Sequence, residues 1–163
     1  MVYDGGATVA VETVGLIPSH TYTAWLRYFN DIGSCSVGEE SPAASCGFGD
    51  LPSGAGGVVG IDGLVADSDG AVSFRGLIHV GTEPEIGPPG IVAYAPVEPT
   101  FQVIIRSHGP VDPSVMPAQI DGRNGGCTDE VGPPPPVGSG SEFPIPATLG
   151  QCGDVQIFVF ETG

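Results

Sequence analysis

Glycine and proline recur so often in this chain, 27 and 17 times in 163 residues, that long uninterrupted helices are excluded over most of its length. Proline removes a backbone donor, and an interior glycine costs a helix on the order of 1 kcal/mol. The stretches between them are short and alternate in polarity, which is the pattern of a half-buried strand. Residues 7–14 put Val9 and Val11 on one face and Thr8 and Glu12 on the other. Residues 21–30 form the strongest run: Tyr22, Ala24, Leu26 and Tyr28 share one face, and Thr23, Trp25, Arg27 and Phe29 share the other. Both faces of that strand are therefore expected to be covered.

Residues 58–66 and 71–80 flank Asp67-Ser68-Asp69-Gly70 and read as a hairpin, with Val72, Phe74, Ile78 and Val80 inward. Further strands are expected at 100–107, around Val103, Ile104 and Ile105, and at 155–161. Residues 91–94 suggest a short edge strand, 115–120 a helical turn within an otherwise irregular segment 109–150, and Pro133 to Pro136 a short polyproline stretch. Six or seven strands without an internal repeat predict one domain over 1–163: an all-β, two-sheet, immunoglobulin-like Greek-key sandwich with long loops.

Nineteen acidic residues face only Arg27, Arg75, Arg106 and Arg123, giving a formal net charge of -15. Such a chain repels phosphate backbones and anionic lipid surfaces, so nucleic acid is not expected as a partner. No run of about 18 apolar residues is present to span a bilayer as a helix. The opening residues 1–6 show neither a basic nor an apolar segment, so a targeting segment is expected to have been removed.

Cys35, Cys46, Cys127 and Cys152 form an even set without a Cys-x-x-Cys pair, and no histidine adjoins them in sequence. That favours two disulfides over zinc. The simplest pairing, Cys35 to Cys46 and Cys127 to Cys152, closes two loops rich in glycine, proline and serine, although spacing leaves all three pairings open. Disulfides in turn predict an oxidising compartment, hence a secreted or cell-surface location.

Several stretches together resemble a group of uncharacterised secreted proteins, chiefly bacterial. They are Gly-Gly-Ala-Thr-Val (5–9), His-Thr-Tyr-Thr-Ala-Trp (20–25), Phe-Asn-Asp with Cys-Ser (29–36), Arg-Ser-His-Gly-Pro (106–110), and Gly-Gly-Cys-Thr (125–128) with Cys-Gly-Asp-Val-Gln (152–156). The resemblance spans most of the chain. It implies a sandwich, export and the two local disulfides, and it implies no activity.

Arg106-Ser107-His108 is the densest chemical cluster, yet neighbouring strand residues point to opposite faces, so Ser107 and His108 do not form a nucleophile–base pair. The expected role of Arg106 and His108 is to bond a loop carbonyl or a carboxylate. A copper or zinc site would need His108 to meet His20 or His79 in space. His79 is expected to point outward. Calcium could draw on Asp67 and Asp69, or on Glu39, Glu40 and Asp50, although turn chemistry already accounts for the first pair. Trp25 reads as a core aromatic beside the disulfide region, the alternative being a sugar-stacking platform shared with Tyr22. No catalytic residues and no obligatory cofactor are expected. The leading expectation is a non-catalytic extracellular structural or adhesion module, self-assembling by strand addition at an exposed sheet edge near the N-terminus. The alternatives are a metal-dependent enzyme and a carbohydrate-binding module.

Overall fold

The structure is a computed structural model that describes residues 2–3, 5–30, 35, 46–88, 100–131 and 145–161. Among the described residues, eight strands form two sheets packed face to face: β1 (Val2–Tyr3), β2 (Gly6–Thr13), β3 (His20–Phe29), β4 (Gly56–Val65), β5 (Val72–His79), β6 (Thr100–Pro110), β7 (Asp129–Glu130) and β8 (Gln151–Glu161). The smaller sheet has the order β1-β2-β5, and the larger has the order β4-β3-β6-β8-β7. All pairings are antiparallel except the short β7–β8 contact. The chain passes from the small sheet into β3 and β4, crosses back for β5, and returns with β6 beside β3, a crossover of Greek-key type. The all-β two-sheet sandwich is therefore present.

The two faces of β3 divide as the alternation predicts. Tyr22, Ala24, Leu26 and Tyr28 join Val103 and Ile105 of β6 and Val11, Val72, Phe74 and Ile78 of the small sheet in the main core. Trp25 and Phe29 turn the other way, into a second cluster with Ile104, Val58, Leu51, Ala55 and Cys46. Every residue of β3 is buried, so the large sheet is covered on both sides. On its outer side the cover comes from a 3-10 turn (Phe48–Ser53), from helix α1 (Met116–Asp121) and from the chain after it. The short helix falls where the helical turn was expected.

Three expectations need correction. The Asp67–Gly70 turn forms, with Gly70 N–H donating to Asp67 O at 3.1 Å, but its arms belong to different sheets: β4 pairs with β3 and β5 pairs with β2. It is a corner between layers and not a hairpin. Gly70 is required there, because its φ is 71° and an added Cβ would lie 2.2 Å from Leu16 O. Val80, expected inward, lies beyond the end of β5 and is 45% exposed. The strands at both ends of the 109–150 segment are also longer than expected, since β6 runs to Pro110 and β8 starts at Gln151. The expected strand at 91–94, the prolines at 133–136, and Glu39 and Glu40 lie outside the described residues.

Candidate functional site

The outer face of the large sheet concentrates the polar side chains that the interior holds. Gln102, Ile104, Arg106 and His108 alternate along β6 on this side. Thr23, Trp25 and Arg27 stand beside them on β3, and Asp154 of β8 lies opposite Arg106 in the ladder. Arg27, Gln102, Arg106, His108 and Asp154 are all buried. A buried charge or amide is costly unless its bonding capacity is met, and the loops above the sheet supply most of the partners, with Arg123 Nη1 left without a hydrogen bond among the described residues.

His108 is fully buried, and its two ring nitrogens have different partners. Nδ1 lies 2.9 Å from the carbonyl oxygen of Gly125. A carbonyl only accepts, so the proton resides on Nδ1 and the ring donates there. Nε2 is then an acceptor, and the Thr23 hydroxyl donates to it across 2.8 Å. The Thr23 oxygen in turn accepts from the Trp25 indole N–H at 2.7 Å. The result is a one-way relay, from Trp25 to Thr23 to His108 to Gly125. Burial pushes the His108 pKa down to about 4, with the nearby cations Arg106 and Arg123 adding to the effect and the Gly125 bond and Asp154 opposing it. The ring is thus neutral at neutral pH. Gly125 can approach so closely because it lacks a side chain: a Cβ there would sit 1.6 Å from Ala118 O.

Arg106 is held on four sides. Its Nε donates to Arg123 O at 2.8 Å, Nη1 to Asp154 Oδ1 at 2.9 Å, and Nη2 to Glu130 Oε1 at 2.6 Å and to Asn124 Oδ1 at 3.2 Å. Arg123 bonds the second Asp154 oxygen at 3.3 Å, and burial lowers its pKa. The Arg123 guanidinium also lies 5.1 Å from the Phe48 ring, and that of Arg27 lies 4.3 Å from the same ring. One aromatic therefore carries two cations. Arg27 donates to Gln102, whose amide donates to Cys46 O at 3.3 Å. Gln119 of α1 fastens the helix to the end of β6, donating to the carbonyls of His108 and Pro110, both at 3.2 Å.

Both disulfides have the local pairing, Cys35–Cys46 and Cys127–Cys152, with Cα separations of 5.0 and 5.7 Å. The first adjoins the Trp25 cluster. The second packs on His108, each sulfur lying 3.7 Å from Nδ1.

The sequence candidates separate clearly. Arg106, His108 and Trp25 come together. Ser107 points to the opposite face, where its oxygen accepts from Gly109 N–H at 3.2 Å, so no nucleophile–base pair exists there. The three histidines do not assemble: His79 is exposed on the small sheet, and His20 stacks on Tyr22 at 6.5 Å between ring centroids, its pKa lowered by burial. Among the described residues the only set of three or more that could hold a metal is His108 with Cys127 and Cys152. Asp67 Oδ1 accepts the amides of Asp69 and Ala71, both at 2.9 Å, as turn chemistry requires. Asp50 accepts from Gly47 N–H at 2.7 Å. Trp25 and Tyr22 are 2% and 1% exposed, which leaves neither ring a face for a sugar. Sequence reasoning missed the partners Thr23, Gly125, Arg123 and Asp154. The usable signal was the spacing of Arg106 and His108, two apart and in step with Ile104 on one strand face.

The class defined by fold and site is a disulfide-braced, two-sheet β-sandwich with a buried, hydrogen-bonded polar layer over one sheet. No protein-family model, curated protein or solved structure matches the chain.

Proposed function

We propose that the protein is a non-catalytic extracellular structural or adhesion module that assembles with copies of itself by strand addition. The observation that carries the reading is an apolar groove of about 440 Å³ along β2, lined by Val9, Val11, Leu26, Phe101, Val103 and Phe160 among others. β1 pairs with β2 only at Gly6 and Ala7. From Val9 to Glu12 the outer side of β2 has no strand partner among the described residues. An unpaired edge beside an apolar slot is the arrangement that accepts an added strand. Phe160, 48% exposed at the rim, offers apolar surface to the incoming segment.

Further support comes from the polar layer, in which Arg106, His108 and Asp154 are buried and bonded to neighbouring protein groups. The two disulfides are consistent with an extracellular protein, as is the resemblance to exported proteins. No helix among the described residues is long and apolar enough to cross a membrane.

Light scattering over a concentration series tests the reading. The expected result is concentration-dependent association that Phe160→Glu abolishes while leaving the circular dichroism of the sandwich intact. A chain that stays monomeric throughout, or association untouched by Phe160→Glu, overturns it.

A further inference from the structure

The second disulfide and His108 form a group whose geometry exceeds what bracing a loop requires. Nδ1 of His108 lies 3.7 Å from Cys127 Sγ and 3.7 Å from Cys152 Sγ, and the three atoms fall within 4.8 Å of one another. In a tetrahedral zinc site, with metal bonds of about 2.3 Å to sulfur and about 2.0 Å to nitrogen, ligand nitrogen and sulfur stand roughly 3.5 Å apart. We propose that reduction of Cys127–Cys152 converts this group into a binding site for a thiophilic cation such as zinc, held by two thiolates and His108 Nδ1.

The surroundings suit both states. In the disulfide state Nδ1 carries the ring proton and donates to Gly125 O. A metal takes the Nδ1 lone pair, so the proton must move to Nε2, which then donates to Thr23 Oγ1. That oxygen already accepts from Trp25 at 2.7 Å, and a hydroxyl has lone pairs for both bonds. An outer hydrogen bond from the second ring nitrogen is what metal-bound histidines ordinarily make. Cys152 is fully buried, whereas Cys127 is partly exposed, so a reductant and an ion have an approach from one side. Gly125 O, 3.8 Å from Cys127 Sγ, or a water molecule completes the coordination. Two thiolates and a divalent ion sum to zero, so the filled site adds no net charge beside Arg106 and Arg123.

The steps balance. A trialkylphosphine with one water delivers two electrons and two protons to the S–S bond, leaving phosphine oxide and two thiols; a dithiol reductant does the same and becomes a disulfide itself. Metal binding then releases both thiol protons to solvent.

The experiment reduces the whole protein anaerobically with a trialkylphosphine and titrates it with cobalt(II), then with zinc. Expected are thiolate-to-cobalt charge-transfer bands and tetrahedral visible bands saturating at one ion per chain and displaced by zinc. A zinc-edge X-ray absorption spectrum should show two sulfurs and imidazole nitrogen. Cys35→Ser with Cys46→Ser leaves the bands in place, and His108→Ala weakens binding by about tenfold or more. The proposal is overturned if the reduced, still folded chain gives no bands, if reduction removes the sheet signal, or if the bands need Cys35 and Cys46. Zinc-edge data without imidazole also overturn it, and that spectrum of the unaltered chain decides the matter alone should a variant fail to fold.

Discussion

The two faces of the large sheet are built from the same strands, are both buried along β3, and cohere by different physics. Towards the small sheet, Tyr22, Leu26, Val103 and Ile105 meet Val11, Phe74 and Ile78 in a layer held by apolar burial and close packing. Away from it, Thr23, Arg27, Gln102, Arg106, His108 and Asp154 are covered by loops and joined by directional bonds. The apolar face tolerates a partner of roughly the right shape. The polar face tolerates only its own partners, because each unmet donor or acceptor retains its desolvation cost. The contrast teaches that a sheet can be sealed on a second side without a second sheet, provided that the covering loops are fixed covalently and bond by bond.

Substitutions break this contrast in order of size. Asp154→Ala strips both Arg106 and Arg123 of a buried carboxylate and is expected to cost about 3–5 kcal/mol in denaturant unfolding. If the layer serves specificity more than stability, exchanging all three charges together, Asp154→Leu with Arg106→Met and Arg123→Met, recovers most of that loss. A triple variant as unstable as the single one would show that the ion pairs themselves stabilise the fold. On the apolar face, Ile105→Ala is expected to cost about 2–5 kcal/mol through lost burial and a cavity, with no rescue by any polar partner.

Acid should act on the polar face first. The folded pKa of His108 is depressed to about 4 from an ordinary 6.5, so below pH 6.5 the unfolded chain binds a proton that the folded chain refuses. Stability contributed by the neutral ring is complete above pH 6.5 and lost as pH falls through about 4, a total of roughly 3 kcal/mol. A pH series of unfolding midpoints checks it, and His108→Gln should flatten the slope between pH 6.5 and 5. The smallest effect is expected at the corner turn, where Asp67→Ala removes a side-chain acceptor for two exposed amides and costs about 1 kcal/mol.

What could be read in advance divides along the same line. The strands were legible because alternation is a local property: Val9 and Val11, or Tyr22 and Leu26, declare a buried face without reference to any distant residue. The disulfide pairing was favoured by loop closure for a similar reason. The start of β8 was not legible, because Gln151, Cys152, Gly153 and Asp154 show no apolar alternation; Asp154 is in the sheet because Arg106 needs it. The Asp67–Gly70 corner looked like a hairpin because turn chemistry specifies a reversal and says nothing about which sheet receives each arm. A loop carbonyl or a carboxylate was expected as partner of His108; that it is the carbonyl of Gly125, placed by α1 and the second disulfide, depends on contacts remote in sequence.

The chain contains one tryptophan, and its indole N–H is the first donor of the relay, on the loop-covered side, whereas Tyr22 and Tyr28 sit in the apolar layer. Emission from Trp25 and the near-ultraviolet dichroism contributed by Tyr22 and Tyr28 therefore watch opposite sides of a single sheet. A molecule that loosens its cover before its centre would reveal the order of events optically, with no label attached.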